Sequence, residues 1–166
     1  MNWTTVFDWI VATCVFAVIF LVWALAAYAD QPLVTVYDGD TIRWAGEPIR
    51  LHGADAPELD QPGGIAARDW LIEKITGYPI RIDRRGKDQY NRTIAIVYVG
   101  SKAPGDTTIR FRSVNKAIVL DGNAWAYREH STTYVGDEIA ARKAERGLWW
   151  PGSCPQAPWH WREDHK

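Results

Sequence analysis

Asp40, Arg50, Asp55 and Glu58 share one stretch of this 166-residue chain, Val36–Glu58, which reads VYDGDTIRWAGEPIRLHGADAPE. Asp40 follows an Asp38-Gly39 turn, Arg50 lies mid-strand in PIRLHG, and Asp55 and Glu58 bracket the bend Asp55-Ala56-Pro57-Glu58. Two aspartates with a glutamate nearby offer hard oxygen ligands to a divalent cation, and a planar guanidinium offers a two-pronged grip on a phosphate. Such a set suits phosphoryl transfer, in which a protein mostly positions the reactants and offsets developing charge. An ordinary carboxylate is a weak base, with a pKa of about 4.3, so two roles stay open for Glu58: taking a proton from an attacking water, or orienting it. Taken singly the residues have ordinary readings. Asp38-Gly39-Asp40 makes a turn, a mid-strand arginine often faces solvent, and Asp-x-Pro-Glu can cap a helix. Their joint occurrence, with Arg92 further along, favours a site.

For these groups to meet, two segments must fold onto one another. Leu33–Trp44 alternates as a strand. Pro48–Ala54 does so more cleanly, with Ile49 and Leu51 on one face and Arg50 and His52 on the other. A turn at Trp44-Ala45-Gly46-Glu47 makes them a hairpin and brings Asp40 and Asp55 to one end. After the breaker run Leu59–Gly64, a helix is predicted over Ile65–Thr76, closed by Gly77, with Arg68 inside its apolar arc. Tyr78–Arg84 reads as a half-buried strand, Arg84–Asp88 as a charged turn, and Thr93–Val99 as a central strand apolar on both faces. Ser101–Thr108 is a solvent loop, Ile109–Arg112 a short strand, and Ser113 the cap of a short helix that stops at Gly122. Ala124–Tyr127 adds an edge strand. A last helix, Gly136–Arg146, carries Asp137 and Glu138 in its first turn and Arg142, Lys143 and Arg146 at its end, as the helix dipole favours. Short strands with segregated helices predict an α+β domain built on a small, closed, five-stranded antiparallel barrel with about three α-helices.

Composition sets the limits. With 47% hydrophobic and 23% charged residues, the chain is long enough for one domain and an appendage. A formal charge of −1 excludes a nucleic-acid binder held by net charge alone, so any polyanion contact is local. The appendage is Trp9–Ala29, a run without a single charge. At about 1.5 Å per helical residue it matches a hydrocarbon core of about 30 Å. The expected organisation is 1–29 as a signal or membrane anchor, 30–150 as the barrel domain, and 151–166 as a Pro- and Trp-rich tail. Ala27-Tyr28-Ala29 resembles a cleavage site, but the segment before the run holds Asp8 and no basic residue, which favours an uncleaved anchor. The first basic residue after the run is Arg43, so orientation is poorly encoded. Cys14 and Cys154 form no disulfide framework.

The blocks VYDGDTIRW, PIRLHGADAPE, DQYNRTIAIVY, SVNKAIVLDGNAWAY and RKAERGLWW together resemble the thermonuclease, or staphylococcal nuclease-like, family over about Val34–Trp150. The resemblance implies an OB-type barrel with three helices and calcium-dependent cleavage of DNA and RNA that leaves 3′-phosphate ends. It implies that Asp40 and Asp55 hold Ca2+ together with the backbone carbonyl of Ala56, where a threonine is common in the family. It assigns Glu58 to the attacking water, Arg50 and Arg92 to the reacting phosphate, and Tyr90 to a nucleotide contact, with Tyr127 as a second.

Other features divide between function and packing. Arg81, Arg84, Arg85 and Lys87 read as a solvated hairpin tip or, beside Arg92, as a rail for the phosphate backbone in which Arg85 and Lys87 touch substrate. Trp149, Trp150, Trp159 and Trp161 read as packing against the barrel or as a base-stacking platform. Cys154, His160 and His165 have no recognised metal spacing. Two classes of function follow. One is a monomeric metal-dependent endonuclease, membrane-anchored with an extracytoplasmic domain or secreted if the leader is cleaved. The other is a non-catalytic nuclease-like module that binds nucleic acid or protein. Retention of Asp40, Asp55, Glu58, Arg50 and Arg92 favours the enzyme.

Overall fold

The computed structural model describes residues 13, 15–22, 33–104, 106–153 and 155–166, and the chain divides into two units, Met1–Pro32 and Leu33–Lys166. In the first unit, residue 13 and residues 15–22 are helical. No helix among the described residues is long and apolar enough to cross a membrane. Most of the predicted anchor over Trp9–Ala29 lies outside the described residues, as do its cleavage site, Cys14, the joint at Gln31-Pro32, and Cys154.

The second unit begins with β1 (Val34–Val36), β2 (Thr41–Trp44) and β3 (Glu47–Leu51), an antiparallel meander. The predicted first strand is thus two strands, because the Tyr37–Asp40 bend folds β1 back onto β2. The β2–β3 bend is two residues, Ala45 and Gly46, both at positive φ as tight hairpins require. β4 (Ala54–Asp55) leaves this sheet and pairs with β8 (Trp125–Ala126). Between them come α1 (Gly64–Ile75), β5 (Ile80–Lys87), β6 (Thr93–Ser101), β7 (Arg110–Ser113) and α2 (Val114–Leu120). After β8 follow α3 (Val135–Lys143), a 3-10 turn at Gly147–Trp149, and α4 (Pro158–Asp164).

The sheet order is β1-β2-β3-β6-β5, with β7 also on β6. The closed antiparallel barrel expected from the sequence is therefore corrected in two respects. β3 and β6 run parallel, which the long crossover through α1 and β5 permits. Among the described residues β1 and β5 do not pair, so the sheet stays open, and the strands number six there with two more in the small sheet. The charged turn expected at Arg84–Asp88 is also corrected. β5 continues to Lys87 through a bulge, which pairs Arg84 with Ala95 and Gly86 with Ile94 and leaves Arg85 out of the ladder. The chain reverses one step later, over Asp88–Arg92, with Asn91 in the left-handed region it tolerates better than most residues.

Ile42, Ile49, Leu51, Ala95 and Val97 of the sheet are buried against Ala67, Leu71 and Ile75 of α1 and Val114, Ile118 and Val119 of α2. Ser113 caps α2 as expected, its hydroxyl accepting from the Lys116 N–H at 3.2 Å. From α2, the buried Asn115 accepts from the Val97 N–H at 2.8 Å and donates to the carbonyls of Ala95 and His52 at 3.0 Å. One amide thus fastens the end of β3, and the segment leading to Asp55, to the middle of β6.

Candidate active site

Register decides which side chains meet. β2 and β3 pair Thr41 with Arg50, and the Leu51 N–H donates to the Asp40 carbonyl at 2.8 Å. Ile49 and Leu51 point into the core, so period two turns Arg50 to the opposite face. Asp40 is placed by an Asx turn, its N–H donating to Asp38 Oδ1 at 3.0 Å. Gly39 lets this bend lie flat on its neighbours: a Cβ there would stand 2.6 Å from that of Ala56 and 2.7 Å from that of Ala67.

The carboxylate of Asp40 then accepts from the Ala56 N–H at 2.8 Å, from the Thr41 hydroxyl at 3.1 Å, and from Arg50 Nη1. Arg50 Nη2 donates to Asp55 Oδ1, so one guanidinium joins the two aspartates. Both acids are buried, at 2% and 0% exposure. Burial pushes the Asp40 carboxyl up to about 6, against the pull of Arg50. It raises Asp55 as well, against hydrogen bonds from a second guanidinium. Burial alone would lower the Arg50 pKa, but the flanking aspartates hold it above the usual arginine value.

That second guanidinium belongs to Arg162 on α4. Its Nη2 donates to Asp55 Oδ2 at 2.8 Å, and its Nη1 to Asp55 Oδ1 at 3.2 Å and to Glu58 Oε1 at 2.8 Å. Asp40, Arg50, Asp55, Arg162 and Glu58 therefore form one continuous chain of charge. Above it lies a cleft of about 1050 Å³ lined by Arg50, Glu58, Arg85, Lys87, Tyr90, Arg92, Tyr127 and Arg162, among others. Asp40, Asp55 and Ala56 lie beneath it, buried.

Arg92 faces this cleft but is not bonded to the aspartates. Its Nε donates to Asp88 Oδ2 at 2.7 Å and its guanidinium lies 5.5 Å from the centre of the Tyr90 ring. Tyr90 is exposed at the β5–β6 reversal. Arg85 bonds Asp83 at 2.8 Å, and Lys87 bonds Asn91 at 2.8 Å. Tyr127 donates to Glu129 at 3.1 Å and stacks on Trp159, with ring centres 6.3 Å apart. The other tryptophans divide: Trp149 meets Trp125 edge-on, Trp161 stacks on His165, and Trp150 is exposed.

The donor chemistry fits a hard cation. Two buried aspartates offer hard carboxylate oxygens, paired here with Arg50 and Arg162, and Ala56 supplies the next backbone carbonyl along the chain after Asp55. Among the described residues no three His, Cys, Asp or Glu side chains converge as a full cage, so water and substrate oxygens would complete the coordination.

Sequence reasoning missed Arg162, Asp88 and His52. His52 lines the cleft with a buried, unpartnered Nδ1, and its pKa is lowered by burial and by Arg85 and His130. A signal for α4 was present: Pro158 occupies the helix's first turn, where proline is favoured.

Comparison with known proteins shows a match over residues 48–151 to the family described as Staphylococcal nuclease homologue. The chain is 32% identical over 160 residues to a micrococcal nuclease of Shigella flexneri, spanning 90% of this chain and 91% of that protein. It is 35% identical over 156 residues to Protein ParB of Escherichia coli, spanning 87% and 86%. It is 33% identical over 144 residues to an uncharacterized endonuclease of Escherichia coli, spanning 83% and 88%. Arg50, Asp55, Glu58 and Arg92 fall inside the family match, and Asp40 just before it.

Proposed function

This chain belongs to the staphylococcal nuclease homologue family, and from that membership we propose that it is a calcium-dependent endonuclease hydrolysing phosphodiester bonds in DNA and RNA. The observation that carries the reading is the meeting of Asp40 and Asp55 on the Arg50 guanidinium, beneath a cleft whose walls hold Glu58 and Arg92. The residues that would hold calcium are Asp40, Asp55 and the Ala56 carbonyl. When bound, the ion supplies charge stabilisation to a phosphate oxygen.

The chain's own residues perform the rest. Glu58 orients or deprotonates the water that attacks phosphorus as the bond to the 5′ oxygen breaks, leaving a 3′-phosphate. Arg50 and Arg92 hold the phosphate by hydrogen bonds that a point charge cannot reproduce. For Arg92 the Asp88 bond uses Nε, which leaves its two Nη groups for substrate. Arg85, Lys87, Tyr90 and Tyr127 flank the path of the strand, the first two as cations and the tyrosines as stacking faces. We place the working domain outside the cytoplasm as a monomer. The charge-free run Trp9–Ala29 supports that location, as an anchor or a cleaved leader.

The test is cleavage of plasmid and of denatured DNA with calcium and with a chelator, for the wild type, Glu58→Gln and Arg92→Ala. The expected result is calcium-dependent cleavage that falls by roughly 10²–10³ in each variant, the usual cost of one transition-state contact. Binding without turnover would instead identify a nucleic-acid binding module. Membrane fractionation and N-terminal sequencing of the mature protein test the location, and light scattering the oligomeric state.

A further inference from the structure

Glu58 sits on the short bend between β4 and α1, where its side chain is 36% exposed. A carboxylate so placed would ordinarily sample several rotamers, each lost at an entropic cost when it is held. Here the residue is held at two points, its backbone by Gln61, which is tied in turn to the C-terminal segment, and its carboxylate by that segment directly. Its N–H donates to Gln61 Oε1 at 3.2 Å, while Gln61 Nε2 donates to the Gln156 carbonyl at 2.7 Å. Gln61 is itself buried, so this relay is shielded from water. The Glu58 carboxylate then accepts from Arg162 Nη1 at 2.8 Å, and the same guanidinium forks onto Asp55.

The helix that delivers Arg162 is docked independently of those bonds. Pro158 at its start is buried. Trp159 stacks on Tyr127, the residue after β8, and within the segment Gln156 donates to Asp164 at 2.6 Å, which ties the chain just before the helix to its last turn. With Arg162 in its wall, the cleft still measures about 1050 Å³. The guanidinium lines the cleft and does not fill it.

We propose that Arg162 is a positioning residue of the reaction site, which holds the Glu58 carboxylate beside Asp55 and so makes the C-terminal helix part of the working enzyme. The inference rests on the nuclease reading above and extends it to residues outside the family match, which ends at residue 151. Arg162 acts through Glu58 and need not touch the substrate.

The experiment uses the full chain carrying Arg162→Gln or Arg162→Lys, each with and without Glu58→Gln. Arg162→Gln is expected to lower kcat by roughly 10- to 100-fold, the scale of a small misplacement of a reacting group, with KM little changed. Arg162→Lys should recover part of the loss. In the Glu58→Gln background Arg162→Gln should add almost nothing, because both substitutions remove the same interaction. Additive losses, or a change confined to KM, would overturn the proposal. A second readout, amide hydrogen exchange without substrate, should show faster exchange over residues 58–64 in Arg162→Gln, with α2 and β6 unchanged. In the wild type, added calcium should leave α4 protected. Release of α4 by calcium, or faster cleavage by Arg162→Gln, would mean an inhibitory contact and would also overturn it. A wild type that leaves DNA intact would sink the nuclease reading alone, and the exchange data would still decide whether Arg162 holds Glu58.

Discussion

A Cβ atom at position 64 would stand 1.7 Å from the carbonyl oxygen of Glu58, so Gly64 meets Glu58 at a distance that only glycine permits. The contact draws the Leu59–Gly63 bend tight under α1 and fixes how far Glu58 projects over the cleft. Gly64→Ala should force the Glu58 backbone outward, at an overpacking cost of about 1–3 kcal/mol. Turnover should fall by roughly 10² while the circular dichroism spectrum is kept. Thermal melting and single-turnover kinetics check this, and an alanine variant with wild-type rate would show that the bend can relax without moving the carboxylate.

Arg50→Lys should be harmful although it keeps the charge. An ammonium group is a single point and cannot span Asp40 and Asp55 while presenting hydrogen bonds to a phosphate. Turnover should drop by roughly 10²–10³, measured at saturating calcium. A lysine variant as fast as the wild type would mean that charge alone is needed at this position.

Calcium should stabilise the protein measurably. At a free concentration a hundred times its Kd, a ligand that binds only the folded state adds about 2.7 kcal/mol. The melting temperature of the wild type should therefore rise with calcium and fall back with chelator. Asp40→Asn and Asp55→Asn should each abolish most of that rise, because each removes one of the two buried carboxylates.

Glu47 gives a pH signature away from the site. Hydrogen bonds from Arg84 and from the Thr93 hydroxyl pull its carboxyl down from about 4.5 to about 2. A depressed carboxylate stabilises the fold above the unfolded pKa and loses that contribution as pH falls through the folded one. Glu47→Gln should therefore lower the urea midpoint at pH 7, and only slightly, because an exposed ion pair contributes little. The gap between variant and wild type should close between pH 4.5 and 2. A gap that stays constant down to pH 2 would show that the carboxylate charge contributes nothing there.

Much of the site can be read from the chain because period two is a strong signal. Ile49 and Leu51 flank Arg50, so the arginine had to leave the core, and a two-residue bend had to return it to Thr41. The cap at Ser113 and the segregated charges of α3 were legible for similar local reasons. What escaped depended on distant partners. The run Arg84–Lys87 looks like a turn because it is charged. It is a strand because β6 supplies the ladder and a bulge absorbs Arg85. Arg162 looks like one charge among several in a polar tail. Its meaning comes from Asp55, 107 positions away, which no local pattern reports. The parallel β3–β6 pairing was hidden in the same way, since strand direction is set by the crossover and not by side-chain alternation.

The two-residue bend at Ala45-Gly46 has a consequence for how this domain can diverge. Thr41 faces Arg50 only while that interval keeps its length. One residue gained or lost between them would present Ile49 or Leu51 to the cleft and bury a guanidinium in oil. Descendants of this chain are free to respell the bend but not to recount it, so lineages that preserve the chemistry should vary there in letters and never in number.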